Sequence, residues 1–443
     1  MTSTTQPNPS STSPGHLATA DGIGDASTGS GIPTHDEIIE RAHALLPFLR
    51  EHQEATERNT FPIEEVHQAF LDNGFYKVLT PKRYGGYQMG PWTFLKLAIE
   101  LARGCPSAAW CYALGHAKTL TAAAYFPPEV QDELFAAEDG YFVSAAFAYP
   151  RGDARRVEGG YIVNGKYPYS SGSPYANYHI AVVPAPAGSP HGPEGSHLTV
   201  VIKRDDFTIG DDWGNVLGMR GSGSATVTVT EAFVPDHWVL TGSFTSLGAD
   251  ENGTFGSRYH EDSTYAIPEL GFASALVPAL VIGMGYGMLD AYEQVITTRS
   301  PEKMPGILDP SLANAKVKAD ASEYQRIFGL ASMDIESAEA IMRVVADELI
   351  EMGSTPGSTD LVANFRLAAL TSKVGRLVWD AVQEHLWRTG GSSQTADTAP
   401  MQRYFRDVAT YWTAVGNGQR DSIAQTYGYL KLFGAPTPPA QDA

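Results

Sequence analysis

The 443-residue sequence holds only two cysteines, Cys105 and Cys111, without C-x-x-C spacing. Two cysteines cannot build a disulfide scaffold, and so low a count suits a reducing cytoplasm, the location expected. Cations are also scarce: 31 Lys and Arg stand against 50 Asp and Glu, a formal net charge of -19. Phosphate backbones and anionic bilayers attract clustered cations, so neither nucleic acid nor a membrane surface is an expected partner. No two of the 12 histidines are three to five residues apart, which removes the usual helix-borne metal pair; no metal is expected. There is no G-x-S-x-G elbow. Gly160 to Lys166 begins like a phosphate loop, but Tyr167 stands where Ser or Thr must hold magnesium. Residues 1–34 lack a basic segment followed by an apolar one, and their Ser, Thr, Gly and Pro predict a disordered tail. The one long uncharged run, Leu270 to Leu289, contains Pro278 and four glycines and has no basic flank. It reads as a helix buried on all sides, not as a bilayer span.

What is present is material for a large core, 43% of the residues being hydrophobic. From His35 to Glu51, Ile38, Ile39, Ala42, Leu45, Leu46 and Leu49 recur at helical spacing. A second helix begins near Pro62 and buries Val66 and Phe70. A third runs through FLKLAIELARG and a fourth through PSAAWCYALGHAKTLTAAAYF. From about Tyr141 the period becomes alternating. Asn164-Gly165 predicts a two-residue hairpin turn, and Ala225, Val227 and Val229 share one face of a strand with Thr226, Thr228 and Thr230 on the other. After about Ser243 helical stripes return, one through Ile327, Ala331, Ile335, Ala338, Met342, Val345 and Leu349, another through Val362, Phe365, Ala369, Leu377, Val378, Ala381 and Val382. The reading is a mostly α, α+β chain: tail 1–34, helical domain 35–140, central β-barrel or sandwich 141–243, and C-terminal four-helix bundle 244–443. Surplus apolar stripes on such bundles seal subunit interfaces, so a homo-oligomer is expected.

Polar residues that could carry chemistry are scattered. His116 follows Trp110 on an apolar helix, where a histidine is more often a satisfied core residue than a catalytic one. Ser144, in YFVSAAF, and Ser171, in YPYSSGSPYANY, each have a bland reading as strand or turn hydroxyls. A glycine-rich run from Trp213 through Arg220 to Ser224 leads into a strand, and Gly390-Gly391-Ser392-Ser393 suits a helix C-cap.

In combination and order these segments resemble the acyl-CoA dehydrogenase superfamily from about His35 onward. The resemblance is carried by Ser107, Trp110 and His116, by GGYIVNGKYPYSSG, by GMRGSGSATVTVTEAFVP, and by the late glycine pair followed by MQRYFRDV. Within it the chain is most similar to oxygenase components of two-component flavin-dependent monooxygenases. Dehydrogenases of the superfamily place a general-base Glu shortly after a pair like Arg406-Asp407; here that stretch reads Ala414-Val415-Gly416-Asn417, and valine removes no proton. The resemblance implies FMNH2 or FADH2 supplied by a separate NAD(P)H:flavin reductase, O2 as co-substrate, a C4a-hydroperoxyflavin that hydroxylates a small aromatic or amine-type molecule, and a homotetramer. It assigns Ser171 to the flavin N5 and Ser144 to the ring. Trp110 and His116 fall to the flavin and substrate pocket, with His116 and Ser171 as the catalytic pair, and Arg299, Ser392 and Ser393 to the flavin phosphate. The histidine that many relatives carry about eight residues beyond the arginine is absent, Ala414 occupying the place. An acyl-CoA dehydrogenase and a non-catalytic member are the competing readings.

Overall fold

A computed structural model describes residues 31–136, 143–145 (backbone), 151–243, 246–301, 315–357, 361–413 and 418–434. The stretch Ala414 to Asn417 and most of the predicted tail lie outside them. Seven helices come first: α1 (His35–Ala44), α2 (Leu46–Asn59), α3 (Glu64–Asp72), α4 (Pro91–Gly104), α5 (Pro106–His116), α6 (Lys118–Tyr125) and α7 (Pro128–Leu134). Thr34 starts α1 with a capping box, its hydroxyl accepting from the Glu37 N–H while the Glu37 carboxylate accepts from the Thr34 N–H. Two helices read as continuous are broken. The first divides at Leu45, with Pro47 early in the new helix where its missing N–H costs nothing. The fourth divides at Ala117, which leaves His116 as the last residue of α5.

Among the described residues eight strands follow: β1 (Val143–Ala145), β2 (Asp153–Val157), β3 (Gly160–Tyr167), β4 (Tyr178–Pro184), β5 (His197–Lys203), β6 (Phe207–Ile209), β7 (Val227–Pro235) and β8 (Val239–Thr241). They form two open four-stranded sheets, ordered β1-β4-β5-β8 and β2-β3-β7-β6, so the β region is a sandwich and not a barrel. Tyr161, Val163 and Tyr167 of one sheet share a core with Ile180, Val200 and Ile202 of the other. Along β7, Val227 and Val229 point inward, as the alternation predicts.

The Asn164-Gly165 hairpin is a correction. The β2–β3 turn falls at Glu158-Gly159, between paired Val157 and Gly160, and Asn164 sits inside β3 at a bulge against β7. Its side chain bonds the Glu231 N–H at 2.7 Å and the Glu231 carboxylate at 2.8 Å, holding Glu231 at φ 48°. The extra residue of that bulge lies on β7, where Thr230 and Glu231 face the single Asn164, so the dipeptide with turn chemistry pins a bulge in the neighbouring strand.

The remaining helices are α8 (Phe255–Tyr259), α9 (Glu269–Thr298), α10 (Ser322–Ser354), α11 (Leu361–Asp380), a π-helical turn (Ala381–Trp387), α12 (Arg388–Gly390), α13 (Pro400–Trp412) and α14 (Arg420–Phe433). Helix α9 packs against α4, α5, α10, α11 and α13. It is long and apolar enough to cross a membrane, yet 78% of its most apolar stretch is buried inside the fold. Its glycines permit this: a Cβ on Gly283 would strike the Ile99 carbonyl of α4, and one on Gly287 the Tyr404 ring of α13. The α10 stripe from Ile327 to Leu349 is wholly buried. In the α11 stripe Val378 is buried, while Val362, Phe365, Ala369 and Leu377 remain partly exposed in the single chain.

Candidate active site at the seam of helices and sandwich

Three segments converge where α5 meets the sandwich. The first is α5 itself, which brings Ser107, Trp110, Cys111 and His116 along one helix. The second is the turn after β3, where Tyr169 (φ 61°) and Gly172 (φ 74°) both take left-handed backbone. Glycine adopts that conformation freely; a tyrosine there is strained, and such strain concentrates at functional sites. The third is the loop from Trp213 to Ser224. Gly172 N–H donates to the Ser222 carbonyl at 3.1 Å, Ser170 N–H to the Ala225 carbonyl at 3.2 Å, and Gly221 N–H to the Ser107 hydroxyl at 3.2 Å, so the three segments are stitched together.

The stitching aligns a chain of hydroxyls. Trp110 Nε1 donates to Ser171 Oγ at 3.0 Å, Ser171 Oγ lies 2.8 Å from Ser224 Oγ, and Ser224 Oγ lies 2.7 Å from Ser222 Oγ. Ser171, Ser224 and Ser222 are 7%, 4% and 0% exposed. Because each hydroxyl can rotate, the chain can present either a proton or a lone pair at its Ser171 end. The Ser144 backbone pairs with His179 in the parallel β1–β4 ladder, and β1 lies against α5 at this same corner.

His116 is 2% exposed, its Nδ1 3.2 Å from the Thr119 hydroxyl, with Tyr76, Tyr112 and Phe94 rings around it at 5.6, 5.6 and 6.1 Å between centroids. It lines a cavity of about 30 Å³ whose wall includes Gly172, the neighbour of Ser171; Ser171 itself is not on that wall and bonds Trp110, one to two turns before His116 on α5. A larger depression, about 720 Å³, opens between α2 and the far part of α9, but Arg103 there already clasps Asp290 at 2.7 and 2.8 Å.

The Arg406-Asp407 pair turns out to hold the third segment in place. Asp407, 1% exposed, accepts from the Met219 N–H at 2.6 Å and keeps Met219 at φ 58°. Burial pushes its carboxyl up to about 7. Arg406 donates to the Leu217 carbonyl at 3.1 Å and to both Glu57 oxygens at 3.1 and 3.2 Å, while Gly218 passes so close to the Arg406 carbonyl that no Cβ would fit. Helix α13 therefore sets the position of Ser222 and Ser224 from almost two hundred residues away in sequence. The motif was visible; its partner was not.

Arg299, Ser392 and Ser393 form a separate group. Arg299 caps the end of α9 and donates to Ser393, all three residues being exposed, beside Gly391 at φ 92°. Phe272, near the start of α9, packs on Phe94, which packs on His116. Arg299 is thus roughly 40 Å farther along the helix at 1.5 Å per residue. Within one chain it does not join the Ser171 group. Among the described residues no cluster of three or more His, Cys, Asp or Glu is arranged for a metal.

A helix–sandwich–helix chain with a neutral hydroxyl and indole cluster at its seam defines a class, and comparison agrees with it. Residues 34–135 match the family model for the acyl-CoA dehydrogenase N-terminal domain and residues 275–414 that for the C-terminal domain. The chain belongs to the acyl-CoA dehydrogenase family and, within it, to the branch of flavin-dependent monooxygenase oxygenase subunits. It is 30% identical over 380 residues to a pigment production hydroxylase of Rhodococcus sp. strain ATCC 21145, covering 85% of this chain and 91% of the relative. It is 30% identical over 380 residues to the flavin-dependent monooxygenase oxygenase subunit HsaA of Rhodococcus jostii strain RHA1, covering 84% and 92%. The crystal structure of 3-HSA hydroxylase from Rhodococcus sp. RHA1 superposes with a TM-score of 0.79 at 26% identity, covering 91% of this chain and 99% of that one.

Proposed function

We propose that the protein is the oxygenase component of a two-component monooxygenase: it takes FMNH2 or FADH2 from a separate NAD(P)H:flavin reductase and places one atom of O2 on an aromatic substrate. The observation that carries this reading is the Trp110–Ser171–Ser224–Ser222 chain beside the His116 cavity. Its donor set fits a flavin ring, whose edge alternates hydrogen-bond donors and acceptors and whose face is apolar: the chain offers neutral hydroxyls, an indole N–H and aromatic surfaces. Ser171 and Trp110 would hold the ring's edge, beside the 71%-exposed Tyr169 of the same turn. Bound reduced flavin supplies the two electrons that let one oxygen atom enter the product and the other leave as water.

The chain's own residues orient and protect. Ser171 would hold the ring edge near N5 and Ser144 would contact the ring; the Ser171 oxygen accepts from Trp110, and its hydroxyl shares a hydrogen bond with Ser224. The near-complete burial of Ser171, Ser222 and Ser224 excludes water that would carry stray protons to the reacting edge. His116, buried among ring faces and oriented by Thr119, takes or gives a proton at the substrate. Arg299, Ser392 and Ser393 hold flavin phosphate. Being roughly 40 Å along α9 from the His116 corner, they do so for the flavin of another copy in a homotetramer whose contacts use the half-exposed α11 stripe. The setting is the cytoplasm, in keeping with two unpaired thiols, of which Cys105 is pushed by burial up to about 12.

Reconstitution tests this reading. With a flavin reductase, NADH, FMN or FAD, O2 and a panel of phenols, indoles and arylamines, the protein converts at least one substrate to a product one oxygen heavier. Failure of every reduced flavin to bind would remove the basis of the reading.

A further inference from the structure

Three of the six described non-glycine residues with left-handed backbone, Thr60, Tyr169 and Met219, gather round the loop that carries Ser222 and Ser224. Such residues persist only where the surrounding structure holds them. Met219 is the hub. Its N–H donates to the buried Asp407 carboxyl at 2.6 Å, and its carbonyl accepts from the Ser222 N–H and from the Trp213 indole, both at 3.1 Å. The Trp213 ring in turn meets Tyr169 edge-on at 5.8 Å between centroids, so it props the turn that holds Ser171. One peptide thus reaches both ends of the hydroxyl chain, Ser224 through the loop and Ser171 through Trp213 and Tyr169. Glycines stand at 214, 218, 221 and 223 in the same run, yet position 219 is methionine. A side chain there needs an outside hold to keep φ at 58°. Asp407 of α13 is that hold, and Gly218, pressed against the Arg406 carbonyl, keeps helix and loop in register. The other anchors, Gly221 N–H on Ser107 and Gly223 N–H on the Thr60 carbonyl at 2.8 Å, grip the loop only beyond the left-handed residue.

We infer that Asp407 is a positioning residue of the oxygenase reaction: by holding the Met219 peptide it keeps the hydroxyl chain aligned on the reacting ring edge, and so limits the loss of oxygen as hydrogen peroxide. The inference rests on the monooxygenase reading and adds the residue that keeps its site in shape. Oxygen that takes two electrons from reduced flavin and two protons leaves as hydrogen peroxide when no substrate receives it. A chain that drifts from the ring edge admits water and its protons there, which quickens that loss. Asp407 acts at one remove, since its carboxyl meets the Met219 N–H and none of the serines.

The test uses full-length protein and two measurements besides Tm: amide hydrogen exchange of residues 213–224 without flavin, and the rate of hydrogen peroxide release after bound reduced FMN meets O2. Asp407→Leu keeps bulk and removes the acceptor. It is expected to quicken exchange in the loop by about ten-fold, the weight of one buried hydrogen bond, and to speed peroxide release several-fold. Asp407→Asn keeps a carbonyl oxygen for Met219 and stays within about two-fold of wild type in both. Adding Met219→Gly to Asp407→Leu brings peroxide release back to within about two-fold, because glycine holds left-handed backbone unaided, while Tm stays low. A purely structural role would move Tm and leave peroxide release as it was. Should Asp407→Leu not fold, Met219→Ile against Met219→Leu decides the matter. The two side chains are equal in volume, but the β-branched one resists positive φ, so the isoleucine variant should release peroxide at least about three-fold faster. Unchanged release in Asp407→Leu, no recovery in the double variant, or equal release from the Met219 pair overturns the inference. Wild type that binds no reduced FMN strikes the monooxygenase reading instead, and unchanged loop exchange in Asp407→Leu then still overturns the hold on Met219.

Discussion

The substitution Asp407→Asn separates charge from hydrogen bonding at the residue that fixes the Trp213–Ser224 loop. Asp407 is buried, and desolvation is the largest cause of its rise from the ordinary 3.8 to about 7. The Glu57 charge adds to it, while the Met219 N–H, Arg406 and Arg403 oppose it. A carboxyl raised in the folded state keeps its proton where the unfolded chain has released it. Stability is therefore full below about pH 4, falls as pH rises toward 7, and levels off beyond. At about 1.4 kcal/mol per unit, three units set an upper bound of about 4 kcal/mol, and local relaxation brings the expected effect to about 2–4 kcal/mol. The asparagine amide would keep a carbonyl oxygen for the Met219 N–H and would not ionise. Urea unfolding of both proteins at pH 4, 6 and 8 should show Asp407→Asn matching wild type in acid and exceeding it by about 2–4 kcal/mol at pH 8. A difference that is constant with pH, or largest in acid, refutes the reasoning.

Three further outcomes follow from the same geometry. Ser171→Ala, which removes the Trp110 acceptor and the open end of the hydroxyl chain, should raise hydrogen peroxide released per NADH several-fold at unchanged secondary structure, measured by a peroxidase-coupled assay. His116→Ala should slow product formation by about 100-fold, the usual weight of one general acid or base, while reduced-flavin affinity stays within about two-fold. Gly283→Ala should cost about 1–3 kcal/mol of stability, because its Cβ meets the Ile99 carbonyl, a backbone atom that cannot swing aside; a lowered Tm checks it.

Much of the architecture could be read from periodicity because each signal was local. Ile327, Ala331 and Ile335 repeat at helical spacing and are all buried; Val227 and Val229 alternate with threonines and point inward. The small-residue pattern of α9 likewise forecast close packing, and Gly283, Gly285 and Gly287 each abut another helix. What escaped depended on distant partners. Asn164-Gly165 has turn chemistry, but its partner Glu231 lies on β7, the strand that carries the extra residue of the bulge. His67 sits in an ordinary amphipathic helix, and only tertiary packing brings it to the cavity of His116. Ser171 and His116 were singled out by the order of motifs, whereas the bond from Met219 to Asp407, which positions Ser222 and Ser224, joins residues far apart in sequence and leaves no periodic trace. Arg299 and Ser393 were foreseen as one group, and they do pair, but at the other end of α9 from the hydroxyl chain.

The central claim is that the seam between α5 and the sandwich holds a reduced flavin and shelters its reaction with oxygen. Anaerobic titration of the protein with FMNH2 and FADH2, followed by rapid mixing with O2, measures this directly. The account predicts saturable binding of one reduced flavin per chain, tighter than that of the oxidised form, and reoxidation slowed relative to free flavin in wild type but hastened in Ser171→Ala. Reduced flavin that stays unbound, or reoxidation at the same rate with and without protein, contradicts it.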